Sequence, residues 1–162
     1  MKRILSLVLV AVLTVLSLAA CSGGGASASS YNVGDVAKTV GDVCKIENAK
    51  EFTEDEMTYD MSLDKSAYEE FSGQRTTTNG MSGAVLVVKA TAGNADAVKT
   101  ALEAYRDGIV AQFENYKADF PIGYEQTKNG RVVAKGDYVV LAIAGEGVEY
   151  TEVDKAIDEA LK

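Results

Sequence analysis

Two uninterrupted apolar runs constrain this chain more than any other feature. One is Val85-Leu86-Val87-Val88, which follows Gly83-Ala84, and the other is Tyr138-Val139-Val140-Leu141-Ala142-Ile143-Ala144. Both are strand-length and rich in β-branched residues. A strand with one wet face alternates apolar and polar side chains, because successive residues point to opposite sides. These runs do not alternate, so each is expected to be an internal strand covered on both faces. The fold must then supply helices to cover a sheet.

Helical periodicity identifies them. Asn32 can cap a helix whose Val33, Val36, Ala37, Val40, Val43 and Cys44 form one stripe. Asn94 can cap a long helix over 95–117 carrying Val98, Leu102, Tyr105, Ile109, Phe113 and Tyr116, with Ala101 widening the stripe. Those aromatics are expected in the core. Phe120-Pro121 should stop that helix, since the residue before a proline avoids helical backbone. Thr151 with Asp154 can cap a last helix with Val153, Ala156, Ile157, Ala160 and Leu161 inward. Between these, Thr53 with Glu56 fits a capping box, and Asp64 can cap a short helix bearing Ala67, Tyr68 and Phe71 that Gly73 ends. Asn129-Gly130 leads into a short strand at 131–135, and Gly136-Asp137 turns it into the second apolar run. The expectation is one α+β domain over 32–162, with a mainly antiparallel sheet of about three strands covered by helices. The strand at 131–135 carries Arg131 and Lys135 at its ends and suits an edge.

The first thirty residues are of another kind. Met1-Lys2-Arg3 is basic, and residues 4–16 are apolar apart from Ser6 and Thr14. That run is short for a membrane span and fits a signal-peptide core over 1–20. It closes on Leu18-Ala19-Ala20-Cys21, which resembles the bacterial lipobox. The resemblance implies diacylglyceryl transfer to the Cys21 sulfur, cleavage before Cys21 and an acylated, palmitate-type membrane anchor. Residues 22–30 are only Ser, Gly and Ala, so 21–31 is read as a lipidated cysteine and a flexible tether. Its typical span is about 17 Å. Losing residues 1–20 removes two of the 16 basic side chains, leaving 14 against 24 acidic ones. Such a charge does not favour an anionic membrane surface, so the lipid must do the holding.

Composition narrows the chemistry. The chain has 162 residues, no histidine, two cysteines and a formal charge of −8. Without histidine there is no Ser-His-Asp or Cys-His catalysis and no imidazole metal site. The acidic balance argues against nucleic acid as a partner, because phosphate contact needs basic side chains on one face. Cys44 lies on an apolar stripe and is expected to pack as a small hydrophobe. The acidic stretch Glu51, Glu54, Asp55, Glu56, Asp60 and Asp64 lacks the ligand spacing of a calcium loop and reads as solvated surface. Ser62-Leu63-Asp64-Lys65 has the spacing of a serine–lysine motif, but no Ser-Asp-Asn or Lys-Thr-Gly accompanies it. No catalytic, cofactor or metal residues are assigned. The candidate binding features are Tyr124, expected in a loop, Tyr150, expected before the last helix, and the polar run 74–79.

The Val85-Leu86-Val87-Val88-Lys89 strand, the long helix reaching Phe113 and Asn115-Tyr116, and the Gly136-Asp137-Tyr138-Val139-Val140 hairpin together form a pattern. With the lipobox, it resembles a family of small extracytoplasmic lipoproteins of Gram-positive bacteria known as a domain of unknown function. The resemblance covers roughly residues 33–144 and implies a location and a mixed α/β fold, with no substrate and no catalytic residues. Many members are expected to carry an acidic residue just before the Val85 strand, where Gly83-Ala84 stands here.

The expected function is that of a lipid-anchored module on the outer face of the cell membrane. It would bind a membrane-proximal envelope protein or a ligand without catalysis. A carboxylate-based hydrolase of cell-wall material is the alternative, since paired acids can cleave glycosidic bonds where a cleft holds them 5–9.5 Å apart.

Overall fold

A computed structural model describes residues 30–162. The expected signal peptide, Cys21 and most of the tether lie outside the described residues. The elements run α1 (Val33–Cys44), β1 (Ala49–Glu51), a π-type turn (Glu56–Asp60), a 3-10 turn (Lys65–Ala67), β2 (Tyr68–Thr76), β3 (Ala84–Ala90), α2 (Ala95–Glu114), α3 (Pro121–Lys128), β4 (Arg131–Lys135), β5 (Tyr138–Ile143) and α4 (Tyr150–Ala160).

The sheet is antiparallel and has five strands, in the order β1-β2-β3-β5-β4. The α+β class stands, and the count of about three strands is corrected to five. The two apolar runs are β3 and β5, internal neighbours paired Val85 to Ala142 and Leu86 to Leu141. Alternate residues of these strands feed two cores. Val85, Val87, Val140 and Ala142 pack under α1 and α4 with Val36, Val40, Val153 and Ile157. Leu86, Val88, Val139, Leu141 and Ile143 pack under α2 and the 52–63 segment, with Leu102, Val98 and Met57. Double coverage is therefore why neither run alternates. β4 lies at an edge.

The missed strands have physical reasons. Tyr68 and Phe71 belong to β2, not to a helix, and Asp64 caps only the 3-10 turn, accepting from the Ser66 N–H at 2.8 Å. Gly73 does not end a helix. It sits opposite Leu86, where a Cβ would stand 2.1 Å from the Val85 carbonyl oxygen. The residue is a site of close backbone approach. β1 is Ala49, Lys50 and Glu51 at the other edge, all three exposed, and too short and polar to form an apolar run.

Among the helices, Asn32 caps α1 by accepting from the Asp35 N–H at 3.0 Å. Asn94 and Thr151 do not cap in this way. The side-chain amide of Asn94 donates to Thr91, and Glu149 holds the N-cap position of α4. α2 ends at Glu114, and Tyr116 is exposed rather than core. Pro121 both bars continuation and opens α3, because its fixed φ suits the first helical position. Tyr124 is thus on a helix, not in a loop.

The domain has two poles. At one, the Tyr31 N–H donates to the Tyr138 hydroxyl and that hydroxyl donates to the Tyr31 carbonyl, both at 3.0 Å. Residues before Tyr31 join the domain here. α1 then runs the length of the sheet, about 18 Å at 1.5 Å per residue. At the opposite pole the Gly145 N–H donates to the Cys44 carbonyl at 2.8 Å.

Candidate functional site

The opposite pole is built by loop 77–83, between β2 and β3, and by the start of α3. The loop is tied at its base. The Thr77 N–H and hydroxyl both donate to the Asn48 carbonyl, and the Asn48 amide donates to the Thr78 hydroxyl. The buried Ser82 hydroxyl donates to the Ala144 carbonyl at 2.8 Å. Its crest is held by α3. Phe120 lies over Gly80, and a Cβ on Gly123 would stand 2.6 Å from the Gly80 carbonyl oxygen. Gly80 takes φ +81, a conformation glycine adopts at little cost.

Two cavities open at this loop and share Asn79, Gly80, Met81 and Ser82 on their linings. The first, about 290 Å³, is lined by Met81, Phe120, Pro121 and Ile122 with Asp119 and Glu146. Phe120 is 40% and Ile122 47% exposed, so the apolar lining is open to solvent. The second, about 250 Å³, is lined by Thr76, Thr77, Thr78 and Gln112 with Arg75, Tyr105 and Phe113. Both are below the roughly 300–1,000 Å³ typical of small-molecule pockets. They suit a side chain better than a whole metabolite.

The second cavity has a fixed charge pair behind it. Arg75 donates through Nε and Nη2 to Glu56 Oε1, while Glu56 Oε2 accepts from the Thr53 N–H at 2.8 Å and the Thr53 hydroxyl at 3.0 Å. One carboxylate therefore closes the capping box and anchors β2. Burial raises the Glu56 pKa, but the hydrogen bonds from Arg75 and Thr53 outweigh it and hold the carboxyl below its ordinary value. Burial pushes the Tyr105 phenol up to about 12, so it stays neutral.

The two tyrosines singled out by sequence take different positions, and neither is on the lining of these two cavities. Tyr124 is half-buried on α3. Lys117 and Lys128 lie 5.8 and 5.5 Å from its ring centre, and the Glu114 carboxylate raises its phenol pKa. Tyr150 is the first residue of α4 rather than a residue before it, since Glu149 takes the N-cap position, and its side chain points inward. Its hydroxyl accepts from the Ala144 N–H at 3.1 Å and donates to the Gln126 carbonyl, and Arg131 covers its ring at 4.5 Å. Much of the polar run does reach a cavity, with Arg75, Thr76, Thr77, Thr78 and Asn79 all on the lining of the second. Sequence reasoning missed the apolar wall, because Met81, Phe120 and Ile122 have no periodicity.

Other candidates are engaged elsewhere. Lys65 is ion-paired with Glu54, and the hydrogen bond raises its pKa, which keeps it protonated and unfit as a base for Ser62. Cys44 is fully buried among valines, and burial pushes its thiol up to about 12. Among the described residues no group of three His, Cys, Asp or Glu side chains could hold a metal ion, and no helix is long and apolar enough to cross a membrane.

No curated protein and no solved structure gives a match to this chain. A family model does, over residues 42–144, from the end of α1 through β5. The matched region holds the whole sheet, α2, α3 and every cavity-lining residue named above except Glu146. The chain belongs to the family described as Domain of unknown function (DUF4358).

Proposed function

We propose that this chain is an extracytoplasmic lipoprotein, held on the outer face of the cell membrane by acyl chains on Cys21. In this reading its domain is a non-enzymatic binding module of the cell envelope that engages a protein partner through the cavities beside loop 77–83. The observation that carries the reading is the apolar lining of the first cavity, where half-buried Met81 lies with exposed Phe120 and Ile122. Phe120 and Ile122 lie close together in that lining and are both open to solvent, and an aromatic beside an aliphatic is the kind of anchor on which interfaces concentrate their energy. The position of the cavities adds support. Tyr31 joins the domain at the other pole, so a chain anchored through residues 21–30 would present the cavities away from the lipid.

The alternative is a carboxylate-based hydrolase of wall material. Its supporting observation is that Asp119 and Glu146 line one cavity.

Crosslinking in intact cells tests the binding reading. Wild type is compared with Cys21→Ala, and the captured species are identified by mass spectrometry. A discrete membrane-protein partner enriched by the anchored form is the expected result, because anchoring raises local concentration. No partner with either form, together with release of sugar from wall fragments by the wild type and not by Asp119→Asn, would transfer the assignment to the hydrolase.

A further inference from the structure

The first cavity has a chemistry that selects its occupant. Met81, Phe120, Pro121 and Ile122 supply its apolar lining, Asn79 and Ser82 line it as neutral polar residues, and its only charged lining residues are Asp119 and Glu146, both exposed. No lysine or arginine lines it. The cationic side chains on the neighbouring turn and helix are occupied: Lys117 pairs with Glu114 and lies with Lys128 over the Tyr124 ring. The carboxylates are therefore not neutralised from within the lining.

We infer that this cavity takes an apolar side chain of a partner protein flanked by lysine or arginine. A cavity of about 290 Å³ suits one large aliphatic or aromatic side chain, the usual anchor of a protein interface. The negative charge of these two exposed lining residues complements flanking positive charge and repels acidic sequences, which supplies selectivity as well as attraction. The same two acidic residues disfavour an anionic lipid surface. So does the net charge of −8. This inference rests on the binding reading above and adds the identity of the ligand.

The test uses the full chain in phosphatidylcholine nanodiscs, with isotope-labelled Ile and Met methyl groups. Ile122 and Met81 methyl resonances report on the cavity. Three capped peptides are titrated, Gly-Lys-Leu-Lys-Gly, Gly-Glu-Leu-Glu-Gly and Gly-Lys-Gly-Lys-Gly. The first is expected to shift both methyls and to bind at least about fivefold more tightly than either of the others. Asp119→Asn with Glu146→Gln should remove most of its advantage over the acidic peptide and flatten its salt dependence. Ile122→Asp should abolish binding. Equal binding of the first and second peptides, or of the first and third, would overturn the inference. So would an absence of methyl shifts with all three. Methyl shifts that grow with the concentration of the chain itself would also overturn it, since a second copy would then be the occupant. The intact-cell crosslinking separates the two levels. A captured partner with no preference for basic peptides leaves the binding reading standing and removes this one.

Discussion

The ring of Phe120 rests on the Cα of Gly80, so closely that a Cβ built there would stand 2.3 Å from ring carbons Cδ1 and Cε1. This contact joins the β2–β3 loop to α3, with both residues on the lining of the first cavity and Gly80 on that of the second as well. Gly80→Ala is expected to destabilise the domain by about 1–2 kcal/mol, from the positive φ and from displacement of the ring. Phe120→Ala removes the obstacle but not the φ requirement. The two substitutions should therefore be non-additive by about 1 kcal/mol in a urea-denaturation cycle. Additive costs would show that the ring moves freely.

Glu56 gives a pH signature. Its folded pKa lies below its ordinary value, despite burial, because Arg75 and Thr53 donate to the carboxylate. The stabilisation is then complete above the unfolded carboxylate value of about 4.3 and is lost as pH falls through the lower folded value. Glu56→Gln should cost about 1–3 kcal/mol at pH 7. The gap from wild type should narrow in chemical denaturation below about pH 4. A gap that is constant with pH would remove the ion pair from the account.

Tyr150 and Tyr124 should respond differently to loss of their hydroxyls. Tyr150→Phe leaves the Ala144 N–H and the Gln126 carbonyl without a partner at a part-buried position, a loss of about 1–2 kcal/mol. Tyr124→Phe touches only the exposed Glu114 contact and should stay within about 0.5 kcal/mol of wild type. Equal effects would mean that Tyr150 is not a structural clamp.

Cys44 should be inert in the folded state. Full burial keeps it as the thiol, and the thiolate is the reactive form. In the Cys21→Ala form, a disulfide reagent at pH 8 should titrate no thiol until denaturant is added. Rapid reaction without denaturant would place Cys44 in an opening segment.

What sequence made legible was set by burial. Val85 to Val88 and Val139 to Ile143 face two cores at once, and that demand is written in unbroken apolar runs. The stripes of α1 and α4 were equally plain, because each helix covers one face. β1 and β2 were not: β1 pairs at the edge through its backbone and Ala49, Lys50 and Glu51 bury no side chain, while β2 is internal but buries only Tyr68 fully and shows no apolar run. The candidate site was half legible. Thr76, Thr77, Thr78 and Asn79 stood out as a polar run, whereas Met81, Phe120 and Ile122 meet only because Gly80 and Gly123 let the loop and α3 touch. That contact joins segments some forty residues apart and leaves no periodic mark in either.

The central claim is that partners meet the pole opposite Tyr31. A photoreactive amino acid at Ile122, beside the first cavity, is compared in intact cells with one at Asp158 on the exposed face of α4. The account predicts a discrete crosslinked species from position 122 that Phe120→Asp abolishes, and none from position 158. Crosslinking from position 158 alone, or a species from position 122 that survives Phe120→Asp, would contradict it.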